Sequence, residues 1–132
     1  MKAIIQKKYG GVDKLTLKEV EKPTISKNQM LIKVYAANVS SGDMRLNTLD
    51  VPLLLIPMVK LIFGFKGPRN QTRGISGSGV VSEIGSNIKE YKVGDKIYFI
   101  NTMKAGCLAE YLVLNKKNVM AKIPQNMSFN ES

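Results

Sequence analysis

Short runs of β-branched and alternating residues recur along almost the whole chain, and turn-forming residues separate them. Runs of this length and composition favour β-strands over helices. Glycine, proline and asparagine between the runs allow the chain to reverse direction. The sequence predicts six strands, at residues 3–6, 15–20, 30–35, 79–84, 96–100 and 108–114. Many short strands at this spacing predict a mainly β fold, as a small barrel or sandwich.

Helices contribute little to this prediction. One short helix is expected to begin in segment 40–43, and a second helical segment is expected within residues 53–63, although neither has a clear amphipathic stripe. Near the end of the chain, Ser128 and Asn130 are residue types that cap helices. We therefore expect a helix to start there, with its body lying beyond residue 132.

The length and composition predict one domain. A chain of 132 residues with 44% hydrophobic content is long enough to bury a single core. The lone cysteine, Cys107, excludes an internal disulfide, and the N-terminus has no apolar signal run, so a cytoplasmic location is expected. The most apolar stretch, residues 51–65, contains two prolines and a lysine and is shorter than the ~20 residues of a membrane span. No membrane partner is therefore expected.

The chain is strongly basic, with 20 Lys and Arg against 10 Asp and Glu. Such a charge attracts anions, including nucleotide phosphates, nucleic acid and anionic lipid. The lysines, however, are scattered singly, and aromatic residues do not alternate with them as stacking platforms would. We interpret the charge as a solvated basic surface and do not expect a nucleic-acid partner.

A glycine cluster at residues 74–79 begins like a dinucleotide-binding fingerprint, but position 82, where a third glycine is needed, is Ser82. The following residues, 80–85, have the pattern of a strand entering a turn. The fingerprint requires a helix there, whose N-terminus holds pyrophosphate. No cofactor-binding residue is therefore assigned from this cluster.

Residues suited to catalysis or metal binding are few. The chain contains no histidine, which removes the commonest general base and zinc ligand. We interpret Cys107 as a small buried hydrophobic residue. Asp43, at the expected helix start, is either a cap or a proton acceptor, with the cap favoured. Glu110 is expected to be exposed or ion-paired, and no catalytic residue is assigned.

Eight phrases, taken in order, resemble the medium-chain dehydrogenase/reductase superfamily. They fall at residues 1–4, 18–23, 30–37, 39–45, 74–79, 82–87, 92–98 and 106–111, and so cover nearly the whole chain. The resemblance implies a GroES-like N-terminal domain over residues 1–132, a partly open β-barrel with a few short helices. It also implies that a doubly wound Rossmann domain, absent from this chain, would follow and carry most of the contacts to the cofactor.

The resemblance implies a branch without zinc. Zinc-dependent members have a cysteine ligand where this chain has Ser40, and a Gly-His-Glu motif where it has residues 74–76. The chain is more similar to quinone oxidoreductases and alcohol dehydrogenase-like reductases, in which NADPH or NADH transfers hydride without a metal. Ser76 and Ser78 depart from the residues common in that branch, and the substrate is left open among quinones, enones, carbonyls and alcohols.

The resemblance also implies where the site lies. By position, the nicotinamide and the substrate would face Ser40, Ser41 and Gly42, and the same turn would include Asp43, Met44 and Arg45. Residues 51–65 would form a variable pocket or lid segment. The chain alone is expected to be inactive and to form a homodimer or larger species through an exposed edge or apolar face. A binding or self-associating module without catalysis is the alternative function.

Overall fold

The computed structural model describes residues 1–132 as two antiparallel sheets and two short α-helices, which confirms the predicted mainly β fold. The elements are β1 (Lys2–Gln6), β2 (Leu15–Glu19), β3 (Gln29–Ala37), α1 (Ser41–Thr48), α2 (Ile56–Phe63), β4 (Ser76–Ile84), β5 (Lys96–Ile100), β6 (Tyr111–Asn115) and β7 (Val119–Lys122). Single 3₁₀ turns lie at Val12–Lys14 and Leu53–Leu55. Strands β1 and β2 pair with each other, and the larger sheet has the order β6-β3-β4-β5-β7.

The order of the larger sheet requires it to curve. Strands β6 and β7 lie at its opposite edges, yet only residues 116–118 separate them in the chain. A connection of this length spans about 14 Å at most. The two edges must therefore approach each other without pairing, which gives the partly open barrel that the resemblance implies.

The core lies on the concave side of this sheet. Buried and exposed residues alternate in β5, where Ile97 and Phe99 are buried between exposed neighbours, whereas β3 buries Met30, Leu31 and Ile32 in succession. The core cluster consists of Met30, Ile32, Val81, Ile88, Ile97, Phe99, Cys107, Leu112 and Leu114. Burial of each large apolar side chain contributes about 1.5–3 kcal/mol. This cluster therefore accounts for much of the driving force of folding.

Two glycines let β3 and β4 approach closely. A Cβ atom on Gly77 would lie 2.6 Å from the carbonyl oxygen of Ala36, and one on Gly79 would lie 2.2 Å from that of Lys33. Both distances are far below van der Waals contact. Residues 76–79 of the glycine cluster therefore belong to a strand, which continues to Ile84 where the fingerprint would require a helix. The strand begins at Ser76, three residues before the predicted start.

Three elements differ from the sequence prediction. Residues 108–110 precede β6 and bond instead to the first strand, through Ile4 N–H to the Leu108 carbonyl at 2.8 Å and a bridge between Ala3 and Ala109. Strand β7 was not predicted, because its four residues show no clear alternation. At the C-terminal end the expected helix is a single turn, in which the Ser128 N–H donates to the Glu131 carboxylate at 2.9 Å.

The helical segments follow the predicted positions. Helix α2 has Pro57 in its first turn, where the missing N–H breaks no helical hydrogen bond. No single helix is long and apolar enough to cross a membrane. The bent pair formed by Ser41–Thr48 and Leu53–Phe63, with a 70° angle, meets that length and composition only when both parts are counted together.

Candidate functional site

The turn at residues 40–45 is built by a capping box at the start of α1. The Ser40 hydroxyl oxygen accepts from the Asp43 N–H at 3.3 Å. The Asp43 carboxylate accepts in return from the Ser40 N–H at 3.0 Å and from its hydroxyl at 2.8 Å. Reciprocal bonds of this kind satisfy backbone donors that have no partner inside the helix. Asp43 is only 2% exposed, and its capping role is confirmed.

The remaining residues of the turn face outward. Ser41, Met44 and Arg45 are exposed, while Gly42 is half-buried and contributes no side chain. A Cβ atom on Gly42 would lie 3.7 Å from the Ile75 side chain, which is ordinary contact. The turn therefore exposes a free hydroxyl, a thioether and a guanidinium on its first helical turn. A planar ring could lie against this open, mostly uncharged surface.

A groove of about 300 Å³ begins beside this turn and runs along the ends of β3, β4 and β5. The last residues of the chain cover part of it. Phe129 stacks on Tyr35 with ring centroids 4.7 Å apart, and the Ser78 hydroxyl donates to the Phe129 carbonyl at 2.6 Å. Sequence reasoning did not predict this contact, because Phe129 is 94 residues from Tyr35 and belongs to no motif.

The two positions that correspond to zinc ligands hold Ser40 and Ile75, and the structure gathers no group of three or more His, Cys, Asp or Glu side chains. Cys107 is fully buried in the core. Burial, together with the negative charge of Asp43, raises the pKa of the Cys107 thiol to about 12. The thiolate, which is the reactive form, is therefore negligible at neutral pH, as expected of a core residue.

A buried polar cluster beneath α1 was missed by sequence reasoning. The Arg73 Nε–H donates to the Asn47 side-chain oxygen at 2.6 Å, and the Gln6 amide donates to the Asn47 carbonyl at 3.0 Å. Burial lowers the pKa of Arg73, although the nearby charge of Asp43 and the Tyr9 hydroxyl work in the opposite direction. No sequence signal identifies the cluster, because its members are far apart and Arg73 follows a polar loop.

Known families and proteins match this chain along most of its length. The family model described as "Alcohol dehydrogenase GroES-like domain" matches residues 26–125. The chain is 33% identical over 98% of its length to an NADPH-dependent alkenal/one oxidoreductase of Arabidopsis thaliana. It is 34% identical over its full length to a 2-methylene-furan-3-one reductase of Solanum lycopersicum.

Solved structures give the same fold. The quinone oxidoreductase of Coxiella burnetii matches 98% of this chain with a TM-score of 0.80 at 29% identity, and the chain covers 38% of that structure. The Escherichia coli quinone oxidoreductase complexed with NADPH matches with a TM-score of 0.78 at 20% identity, which supports the fold alone.

The fold and these matches together define the class: an N-terminal domain of the kind found in nicotinamide-dependent oxidoreductases. The chain belongs to the alcohol dehydrogenase GroES-like domain family, within the medium-chain dehydrogenase/reductase superfamily. It spans about a third of the length of the two curated relatives, 32% and 33%.

Proposed function

We propose that the protein to which this chain contributes its GroES-like domain uses NADPH to reduce the activated double bond of small enones and enals. The observation that carries the proposal is that two reductases, named for alkenal/one and methylene-furanone substrates, match 98% and 100% of the chain at 33% and 34% identity. Both printed names describe a carbon–carbon double bond next to a carbonyl. Quinones have the same arrangement, which relates them to the quinone oxidoreductases that also match.

The residues of the turn fit the nicotinamide end of the cofactor. Gly42 has no side chain, and the exposed Met44 offers an apolar contact next to the free hydroxyl of Ser41. We assign no contact to the cofactor phosphates in this domain. When bound, NADPH supplies the hydride, and this chain orients the substrate and polarises its carbonyl group.

The carbonyl oxygen of the substrate gains negative charge as its double bond is reduced. The Ser41 hydroxyl is exposed and accepts or donates no hydrogen bond within the fold, so it is available to donate to that oxygen. The Ser40 hydroxyl is not equivalent, because it already donates to Asp43. A hydroxyl donor placed beside the carbonyl oxygen, as we propose for Ser41, stabilises the transition state more than the ground state. Neither Ser40 nor Ile75 can bind zinc as cysteine and histidine do, so the proposed reduction proceeds without a Lewis acid.

The test uses the protein expressed from its complete open reading frame, with NADPH oxidation followed for but-3-en-2-one and benzoquinone and NADP⁺ reduction followed for ethanol. We expect kcat/KM to be highest for the enone. Ser41→Ala should lower kcat/KM for the enone about tenfold or more, because the oxyanion loses a donor. Ser86→Ala, at an exposed serine in a distant turn, is the matched control and should leave kcat/KM unchanged.

Activity with ethanol alone would reject enone reduction. Equal activity of the Ser41→Ala and Ser86→Ala proteins would reject the assignment of Ser41 while leaving the substrate class in place. A protein that consumes NADPH with none of the three substrates would favour the second candidate function, a binding or self-associating module. The exposed leucines of residues 53–55 and 61 are the observation that favours that candidate.

A further inference from the structure

A second cavity, of about 370 Å³, shares no lining residue with the groove. It is enclosed by the C-terminal ends of α1 and α2, the loop at residues 68–73 and the loop at residues 102–105. Leu46, Ile62 and Phe63 form an apolar wall. The volume lies at the lower end of the range for small-molecule sites, about 300–1,000 Å³.

Arg73 lines this cavity and is only 6% exposed. Its Nε–H is used by Asn47, at 2.6 Å. The two terminal nitrogens of the guanidinium make no hydrogen bond within the chain, and Arg73 takes part in none of the five ion pairs. Arg73 therefore lines the cavity with a largely buried guanidinium, two donor groups of which have no partner within the chain.

The charge around the cavity has one sign. Arg69 and Lys104 also line it, and no Asp or Glu does. Arg69 is held in place because it donates to the Leu61 carbonyl at the end of α2, at 3.0 Å. Asp43, the acid nearest to Arg73, already accepts from Ser40, and it interacts with Arg73 only through space.

A largely buried guanidinium without a direct ion pair is unfavourable, because burial removes hydration that the through-space charge of Asp43 replaces only in part. Proteins keep such a group when a ligand provides the missing charge. A carboxylate suits this position best, since its two oxygens match the planar fork of a guanidinium. The apolar wall then requires that the rest of the ligand be hydrocarbon.

We propose that this cavity binds a small monocarboxylate, with the carboxylate on the Arg73 guanidinium and a short apolar chain against Leu46, Ile62 and Phe63. This site is separate from the exposed face of the Ser40–Arg45 turn and does not depend on hydride transfer. The chain therefore carries a second ligand site, for a monocarboxylate with an apolar chain of up to about eight carbons, which a cavity of this volume can hold.

The direct test is isothermal titration calorimetry of the 132-residue chain with octanoate at neutral pH. Octan-1-ol has the same apolar chain without the charge and so tests the contribution of the carboxylate. Inorganic phosphate and NADPH test whether the cavity prefers a phosphate group. We expect one octanoate to bind per chain, at least about tenfold more tightly than octan-1-ol, since a hydrogen bond to a charged group adds that much affinity. Tighter binding of phosphate or NADPH at this cavity would overturn the proposal, as would equal binding of the alcohol.

Two variants test whether octanoate binds in this cavity. Arg73→Met removes the charge but also the bond to Asn47, so it is paired with Ile62→Glu, which puts a like charge at the mouth of the cavity on a side chain 43% exposed. Met58→Glu, on the same helix but outside the cavity, is the matched control. We expect octanoate binding to be lost in Ile62→Glu, to fall at least tenfold in Arg73→Met and to persist in Met58→Glu. Unchanged binding in Ile62→Glu would overturn the proposal even if Arg73→Met failed to fold.

Discussion

At the scale of single residues, some residues of the turn at 40–45 stabilise the start of α1 and others remain exposed. Ser40 and Asp43 satisfy each other's hydrogen bonds and hold the start of α1. Ser41 and Met44 are left exposed, and Gly42 leaves space beside them. Rigid residues behind the turn therefore position the residues that we propose to contact nicotinamide and substrate.

Removal of the cap should destabilise the domain. We expect Ser40→Ala to lower the free energy of unfolding by about 1 kcal/mol, within the range for helix N-caps. Ser41→Ala removes a hydroxyl from the next residue. Because the Ser41 hydroxyl makes no hydrogen bond within the fold, this change should alter stability by less than about 0.5 kcal/mol. Urea denaturation of both variants measures the difference, and equal losses would contradict the capping role.

The buried thiol predicts a pH dependence of stability. An ordinary cysteine loses its proton near pH 8.5, whereas burial raises the pKa of Cys107 to about 12. Between these values the unfolded chain holds fewer protons than the folded one, so stability falls as pH rises. From pH 8.5 to pH 10, wild-type protein should lose about 1–2 kcal/mol more than Cys107→Ala. Denaturation at both pH values tests this, and parallel losses would show that the thiol ionises equally in both states.

At the scale of elements, the close approach of β3 and β4 depends on glycine. A Cβ atom at position 79 would lie 2.2 Å from the Lys33 carbonyl oxygen, which belongs to the paired backbone and cannot move aside without opening the sheet. We expect Gly79→Ala to lower the free energy of unfolding by about 3 kcal/mol or more. The matched variant Gly42→Ala meets only ordinary contacts in a helix and should raise it by up to about 1 kcal/mol.

Thermal and urea denaturation of the two glycine variants measures both effects. The prediction would fail if Gly79→Ala were no less stable than Gly42→Ala. The same Gly42→Ala protein bears on function, because a methyl group in front of the proposed nicotinamide position should lower activity in the complete protein while stability rises.

The strands were predictable where alternation and turn residues agreed, as in β3 and β5. The capping box was also predictable, because serine and aspartate three residues apart act locally. Strand β7 was not, since four residues give too short a pattern, and its position beside β5 depends on the curvature of the whole sheet. The burial of Arg73 was not predictable, because it depends on the packing of segments that are far apart in the chain.

At the scale of the whole molecule, the exposed apolar surface is concentrated around the 3₁₀ turn at Leu53–Leu55 and helix α2. Leu53, Leu54 and Leu61 are 84%, 90% and 60% exposed, and Phe65 is 64% exposed. Soluble monomers rarely expose a contiguous surface of this kind.

We predict that the 132-residue chain forms dimers or larger species at high concentration, and that Leu54→Glu combined with Leu61→Glu shifts it to monomer. Introducing two like charges into the apolar surface opposes its burial. Sedimentation velocity over a concentration series measures the change. A monomer at every concentration in the wild-type protein would refute the prediction.

We propose above that a protein carrying this domain transfers hydride from NADPH to an enone beside the turn at residues 40–45. The most direct measurement uses NADPH with deuterium at both C4 positions, but-3-en-2-one as substrate, and mass spectrometry of the product. We expect butan-2-one with one deuterium at the former β-carbon and a solvent proton on the α-carbon. Unlabelled butan-2-one, or NADPH oxidation without any butan-2-one, would contradict it.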